Sequence, residues 1–145
     1  MVALRFFHLA AFLLSASSKI VTVTTRKSYD DPLRPLNGVT CWRKNTGFMP
    51  NLDWKLQRDA VAFIGIPAIK STGSLSCFTC WKISYNSVEN YFLALDGSDS
   101  GYVLSVRDML SLTGEAHELS INAEVTEVNV ANCGLSALDL HAYDF

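Results

Sequence analysis

After its first eighteen residues the sequence has no apolar run long enough to cross a bilayer, which takes about 20 residues. No membrane anchor is expected. Nor is there a basic excess. Arg5 is the only charged residue among residues 1–18, and without it the chain carries 11 Lys+Arg against 14 Asp+Glu. No basic patch stands ready to neutralise phosphates, which argues against nucleic acid as a partner. Histidine is scarce too: His8 lies in the N-terminal segment, and His117 and His141 stand alone. Cysteine is limited to Cys41, Cys77, Cys80 and Cys133, and only one pair is close. A four-cysteine zinc site usually shows two close pairs. No metal and no cofactor is therefore expected. There is no internal repeat, low-complexity tract or interdomain linker.

What is present begins with "MVALRFFHLAAFLLSASS". One positive charge precedes an apolar run from Phe6 to Leu14, and Ala16 and Ser18 sit like the small residues of a signal-peptidase site. Residues 1–18 read as a secretory signal cleaved near Ser18. The remaining 127 residues suit one domain with its own core. An even cysteine count in an exported chain reads as two disulfides.

"CFTCW", residues 77–81, leaves the pairing open. A redox Cys-x-x-Cys needs a helix starting at its first cysteine to lower the thiol pKa. Here "WKISY" follows Cys80, and its aromatic and β-branched residues predict a strand. Disulfide ends are the favoured reading over zinc or redox chemistry, with three connectivities possible.

Along the chain, "IVTVTT" (20–25) predicts a first strand and 27–38 a loop punctuated by Pro32, Pro35 and Gly38. Residues 42–59 are polar without a clean period. "AVAFIGI" (60–66) reads as a strand closed by Pro67, and 69–76 as a loop. "CWKISY" (80–85) and "NYFLALD" (90–96) are strands joined by a polar turn at Asn86 and Ser87, and 97–101 is a tight loop. "SVRDMLSLTG" (105–114) predicts a helix, with Ser105 and Asp108 as a weak capping box and Gly114 after its end. Val106, Met109 and Leu110 would share its core face. In "ELSINAEVTEVNVANC" (118–133), Leu119, Ile121, Ala123 and Val125 alternate with polar residues, and the break near Glu127 suggests a bulge. Many short strands and one helix predict a mostly β fold, a small barrel with helical insertions.

Taken in order, "YDD", the lone cysteine of "LNGVTC", "CFTCWKISY", "FLALDGSDSGY", "SVRDMLSLTG" and "VANCGL" resemble the cerato-platanin family of small secreted fungal proteins. The resemblance spans about residues 21–135 and makes 19–135 the domain and 136–145 an extension. It implies a six-stranded double-psi β-barrel with short α-helices, like the first domain of expansins and barwin. It also implies the connectivity Cys41–Cys77 and Cys80–Cys133. The chain departs from the family at Phe78, where glycine is usual, at "CWRKNTGFMPN" (41–51), and at Gly97-Ser98, where His-Ala is frequent.

Asp96 ends an apolar strand at a Gly/Ser loop, so its carboxylate is expected to be exposed at the barrel rim. In related barrels the matching aspartate is the general acid of cellulose-cleaving enzymes or lies in the expansin groove. Glycoside hydrolysis needs two carboxylates. Asp30, Asp31 and Asp99 are the candidate partners, although aspartate in such loops reads first as a turn residue. The resemblance implies no enzymatic activity, but binding of chitin or N-acetylglucosamine oligomers in a shallow groove. It further implies cellulose loosening in the manner of expansins, and recognition by a plant surface receptor. Asp96, Tyr29, Asp30, Asn45 and Tyr102 are the expected sugar contacts. Trp42 and Trp54 are candidate stacking platforms, whereas Trp81 beside Cys80 reads as core packed on a disulfide. The expected protein is thus a secreted, monomeric, carbohydrate-binding wall protein with elicitor or effector activity. The alternatives are a weak glycan hydrolase using Asp96 with Asp30 or Asp31, and a surface-active coat protein.

Overall fold

In a computed structural model of the chain, residues 17–42, 52–115 and 117–136 are described. Most of the expected signal segment, Asn45 with most of the 41–51 loop, and nearly all of the C-terminal extension lie outside them.

Six strands close into a barrel: β1 (Ser18–Thr25), β2 (Phe63–Ile66), β3 (Cys80–Tyr85), β4 (Val88–Gly97), β5 (Tyr102–Leu104) and β6 (Ser120–Val128). Around the barrel they run β1-β5-β2-β4-β3-β6. Two pairings are parallel, β1 with β5 and β2 with β4. Among the described residues there is one α-helix, α1 (Val106–Thr113), which packs outside. One-turn 3-10 helices at Lys27–Asp30, Leu36–Gly38, Gln57–Asp59 and Val130–Cys133 fill the connections. The core has no solvent exposure at Val23, Ile64, Ile66, Ile83, Leu93, Leu95 and Leu104; Ile83 faces the lumen, whereas Leu93, paired with Cys80, lies on the other face of the sheet beneath the connections.

Local chemistry sets most of these boundaries. Asn86 and Ser87 both take positive φ, 45° and 67°, the backbone of a two-residue type I′ hairpin between β3 and β4. The Ser105 hydroxyl accepts the Asp108 N–H at 2.9 Å, and Gly114 ends α1 in the left-handed region at φ 74°. Both disulfides join the cysteines that the resemblance implied, Cys41–Cys77 and Cys80–Cys133. No thiolate is left among them for zinc or for redox chemistry.

Several local expectations change. β5 stands where only a gap between loop and helix is expected, because three residues are too few to show a period. The buried face of α1 is Met109 and Leu112, while Leu110 stays exposed. β6 pairs without interruption through Val128, so no bulge lies near Glu127. The apolar residues beyond it, Val130 among them, belong to the 3-10 turn, which the Asn129 side chain caps by accepting the Ala131 N–H at 2.9 Å. The one register shift recorded is in β2, between Ile64 and Gly65. Leu119 precedes β6 and is exposed.

Phe78 is buried, not a surface aromatic, and its φ is 64°. A left-handed conformation costs a side-chain-bearing residue roughly 1–2 kcal/mol. Burying a phenylalanine ring returns roughly 2–3 kcal/mol, and this ring packs edge-on against Trp42 at 6.1 Å. Packing thus holds a backbone shape that glycine would adopt freely.

Candidate functional site

The site grows from the end of β4. Asp96 pairs in register with Gly65 of β2. Its carboxylate is buried and takes five hydrogen bonds. Oδ1 accepts from the Thr40 N–H (2.9 Å), the Thr40 hydroxyl (2.8 Å) and the Gly97 N–H (3.0 Å). Oδ2 accepts from the Tyr29 hydroxyl (2.7 Å) and an Arg26 guanidinium N–H (3.1 Å). The expected exposed rim carboxylate is therefore wrong. The polar residues after β1 and the Leu36–Gly38 turn fold back over the strand end and close it.

Tyr29 reaches Asp96 because Gly65 makes room. A Cβ at Gly65 would stand 2.8 Å from the phenol oxygen. The Tyr29 ring packs on Phe63, and Arg26 lies 5.2 Å over its face. Burial, followed by the neighbouring Asp96 charge and the hydrogen bond to it, pushes the Tyr29 pKa well up, so it remains a donor.

Three residues fixed by Asp96 also line a surface depression of about 340 Å³: Arg26, Thr40 and Gly97, joined by Ile69, Lys70, Ser98 and Asp99. Gly97 has no space for a side chain, since a Cβ there would meet the Ile69 carbonyl at 2.4 Å. The depression offers cations (Arg26, Lys70), a carboxylate (Asp99) and hydroxyls, and no strong excess of either sign.

The other expected contacts disperse. Asp30 turns the opposite way from Tyr29. Its carboxylate accepts the Val106 and Arg107 N–H groups at 2.9 Å each, at the start of α1. Two orphan helix donors are satisfied and a negative charge sits at the positive end of the dipole. Asp30→Ala is expected to cost about 1–2 kcal/mol, read from urea denaturation, without altering sugar affinity. Asp31 accepts the Leu33 N–H at 2.9 Å in a local turn. Tyr102 is buried and lines a different depression, beside Lys19, Thr22 and Ser100. Asn45 lies outside the described residues. Trp42 is buried and stacked on Trp54 at 5.4 Å, which removes it as a platform. Trp81 is half-buried, packs against the core as expected and meets Tyr102 edge-on at 5.5 Å. Arg26 and Thr40 carry no motif in the sequence. Only the tertiary contact with Asp96 identifies them.

This arrangement is poor acid–base machinery. All five hydrogen bonds to Asp96 come from protein donors, so both of its oxygens are already engaged. Asp30 is fixed on the helix, and Asp31 is engaged in its own turn.

The cerato-platanin family profile matches residues 21–135. The heat-stable 19 kDa antigen of Coccidioides posadasii is 33% identical over 115 residues, 74% of this chain and 76% of that protein. The antigen of the same name from Coccidioides immitis is 31% identical over 138 residues, 87% of this chain and 92% of its own. Among solved structures, cerato-platanin 1 from M. perniciosa superposes with a TM-score of 0.69 at 26% identity, over 78% of this chain and 98% of that one. The fungal elicitor cerato-platanin, solved in solution, gives a TM-score of 0.61 at 21% identity, over 78% of this chain and 96% of its own.

Proposed function

The chain belongs to the cerato-platanin family, and from that premise we propose that it is a secreted, elicitor-like protein that binds glycan without cleaving it. The ligand is chitin or its N-acetylglucosamine oligomers, held in the depression over the Asp96 network. One observation carries this reading: Asp96 is locked by five donors, and three of the residues it fixes form the depression wall. Asp96 is here a positioning residue. It sets Arg26, Thr40 and Gly97, which meet the sugar. A groove with donors and acceptors of both signs suits neutral rings bearing hydroxyls and acetamido groups. Export rests on the N-terminal segment with cleavage near Ser18, on the family's secreted character, and on two disulfides of the kind that persist in oxidising compartments. A plant surface receptor and expansin-like loosening of cellulose follow from the family resemblance.

Titration of isotope-labelled protein with N-acetylglucosamine hexamer is the direct test. Saturating NMR shifts at Thr40, Gly97, Ser98 and Asp99 are expected, together with no release of reducing ends. Reducing ends formed from polymer would instead favour the hydrolase. Silence of these residues at millimolar sugar, with film formation at an air–water interface, would favour the coat protein.

A further inference from the structure

Away from the Asp96 groove, Trp81 of β3 touches Tyr102 of β5. In the order β1-β5-β2-β4-β3-β6 these two strands are diametrically opposite. Their rings can meet only across the lumen, so the pair closes one mouth of the barrel. Strand parity agrees. Trp81 lies two residues before buried Ile83, Glu127 two after buried Val125, and Lys19 four before buried Val23. Tyr102 pairs with Val23 and shares its side.

Three features mark this mouth as more than a plug. Tyr102 is only 3% exposed, yet among the described residues its hydroxyl has no hydrogen-bond partner. Buried tyrosine hydroxyls usually find one. That hydroxyl is not sealed off either, because no buried side-chain oxygen in the described residues lacks a partner. It therefore opens onto the depression beside it. Second, the Lys19 ammonium lies over both rings, 5.9 Å from the Trp81 centroid and 5.6 Å from that of Tyr102. This is near the outer limit for a cation–π contact, and on an exposed side chain it is weak enough to exchange. Third, Lys19 divides two depressions of about 430 and 500 Å³. One is bordered by Trp81, Glu127 and Ser17, the last removed by cleavage near Ser18 so that this depression opens further, the other by Tyr102, Thr22, Thr24 and Ser100. Each is in the size range of small-ligand sites.

We propose that this mouth is a second glycan contact, in which Lys19 swings off the indole and a pyranose ring stacks on Trp81. The Tyr102 hydroxyl, Lys19 and Glu127 take the sugar's hydroxyls. Cleavage near Ser18 adds the amino terminus of Lys19 to its side-chain ammonium, opposite the Glu127 carboxylate, so charge alone does not choose the ligand. The indole does: the occupant is a neutral β-linked oligosaccharide, whose flat C–H face suits it. This site stands independently of the Asp96 groove.

The test uses protein recovered from the medium of an expressing host, labelled with ¹⁵N and titrated with cellohexaose and with N-acetylglucosamine hexamer. The Trp81 indole N–H resonance is expected to shift and saturate. Tyr102→Phe removes a hydroxyl that holds nothing in the protein, so the fold should persist while affinity at Trp81 drops about five-fold. Lys70→Ala, in the Asp96 groove, should leave the Trp81 titration unchanged. A Trp81 resonance that stays fixed at millimolar sugar overturns the proposal. So does an unchanged Trp81 affinity in Tyr102→Phe. Because groove and mouth report through different resonances, failure of either one is distinguishable from failure of the other.

Discussion

Asp96→Ala is expected to lower unfolding stability by about 3–5 kcal/mol, the range for removing one partner from a buried charged network. The loss has identifiable parts. The Tyr29 hydroxyl, the Thr40 N–H and hydroxyl, the Gly97 N–H and the Arg26 guanidinium all lose an acceptor at once. Each donor left buried without a partner carries a desolvation penalty of about 1–3 kcal/mol, reduced where water can enter. Arg26 is half-exposed and will be rehydrated, so its share is small. Tyr29→Phe deletes one of these bonds and should cost about 1–2 kcal/mol. The order Asp96→Ala, then Asp96→Asn, then Tyr29→Phe can be read from guanidinium denaturation midpoints. An exposed catalytic acid would behave oppositely: its removal would leave the midpoint unchanged or raise it. A stable Asp96→Ala protein would therefore return Asp96 to the list of chemical groups.

Removing the Cys80–Cys133 bridge with paired alanine substitutions should cost roughly 4 kcal/mol in the chain-entropy model. The bridge closes a separation of 53 residues, against 36 for Cys41–Cys77. Because the dependence is logarithmic, the two bridges should differ by only a few tenths of a kcal/mol. Their positions differ more than their entropies. Cys80 opens β3, whereas Cys133 ends the 3-10 turn after β6, so this bridge staples two neighbouring strands of the barrel. Cys41–Cys77 instead ties the Thr40 segment, which supplies two of the Asp96 donors, to the loop before β3. Its loss should weaken glycan binding as well as stability. Domains of this size are commonly stable by about 5–15 kcal/mol, so either loss is a large fraction of the total. Matched denaturation of the intact, single-bridge and reduced proteins would measure it. Overlapping transitions for intact and Cys80–Cys133-less protein would contradict the account.

The two experiments probe opposite kinds of information. Four cysteines, the strand at 80–85, the Asn86–Ser87 turn and the Ser105 to Gly114 helix signals are local features, and a linear reading finds them. The pairing of the cysteines came with the family resemblance, since composition and spacing left three connectivities open. β5 was missed because its three residues have no period of their own. It is a strand only because β1 and β2 flank it.

At the site the division is sharper. Asp96 and Tyr29 were legible as a strand-end carboxylate and a polar loop aromatic. Their contact was not, because 67 residues separate them and Gly65 must leave space between. Exposure was misjudged for the same reason: a carboxylate at a strand end faces water unless distant segments fold over it, and here two do, the Arg26–Tyr29 stretch and the turn leading to Thr40. Asp30 is a candidate partner for Asp96 as a second carboxylate, yet adjacent side chains of a 3-10 turn point to different places, and this one caps α1. The sequence by itself determined the strands other than β5, the helix limits and the number of possible crosslinks, because these depend on neighbours within a few residues. Only the tertiary structure decided which carboxylate is locked, which buried tyrosine hydroxyl among the described residues lacks a partner and which tryptophan is buried. Those outcomes depend on what barrel closure brings across the lumen and over the strand ends.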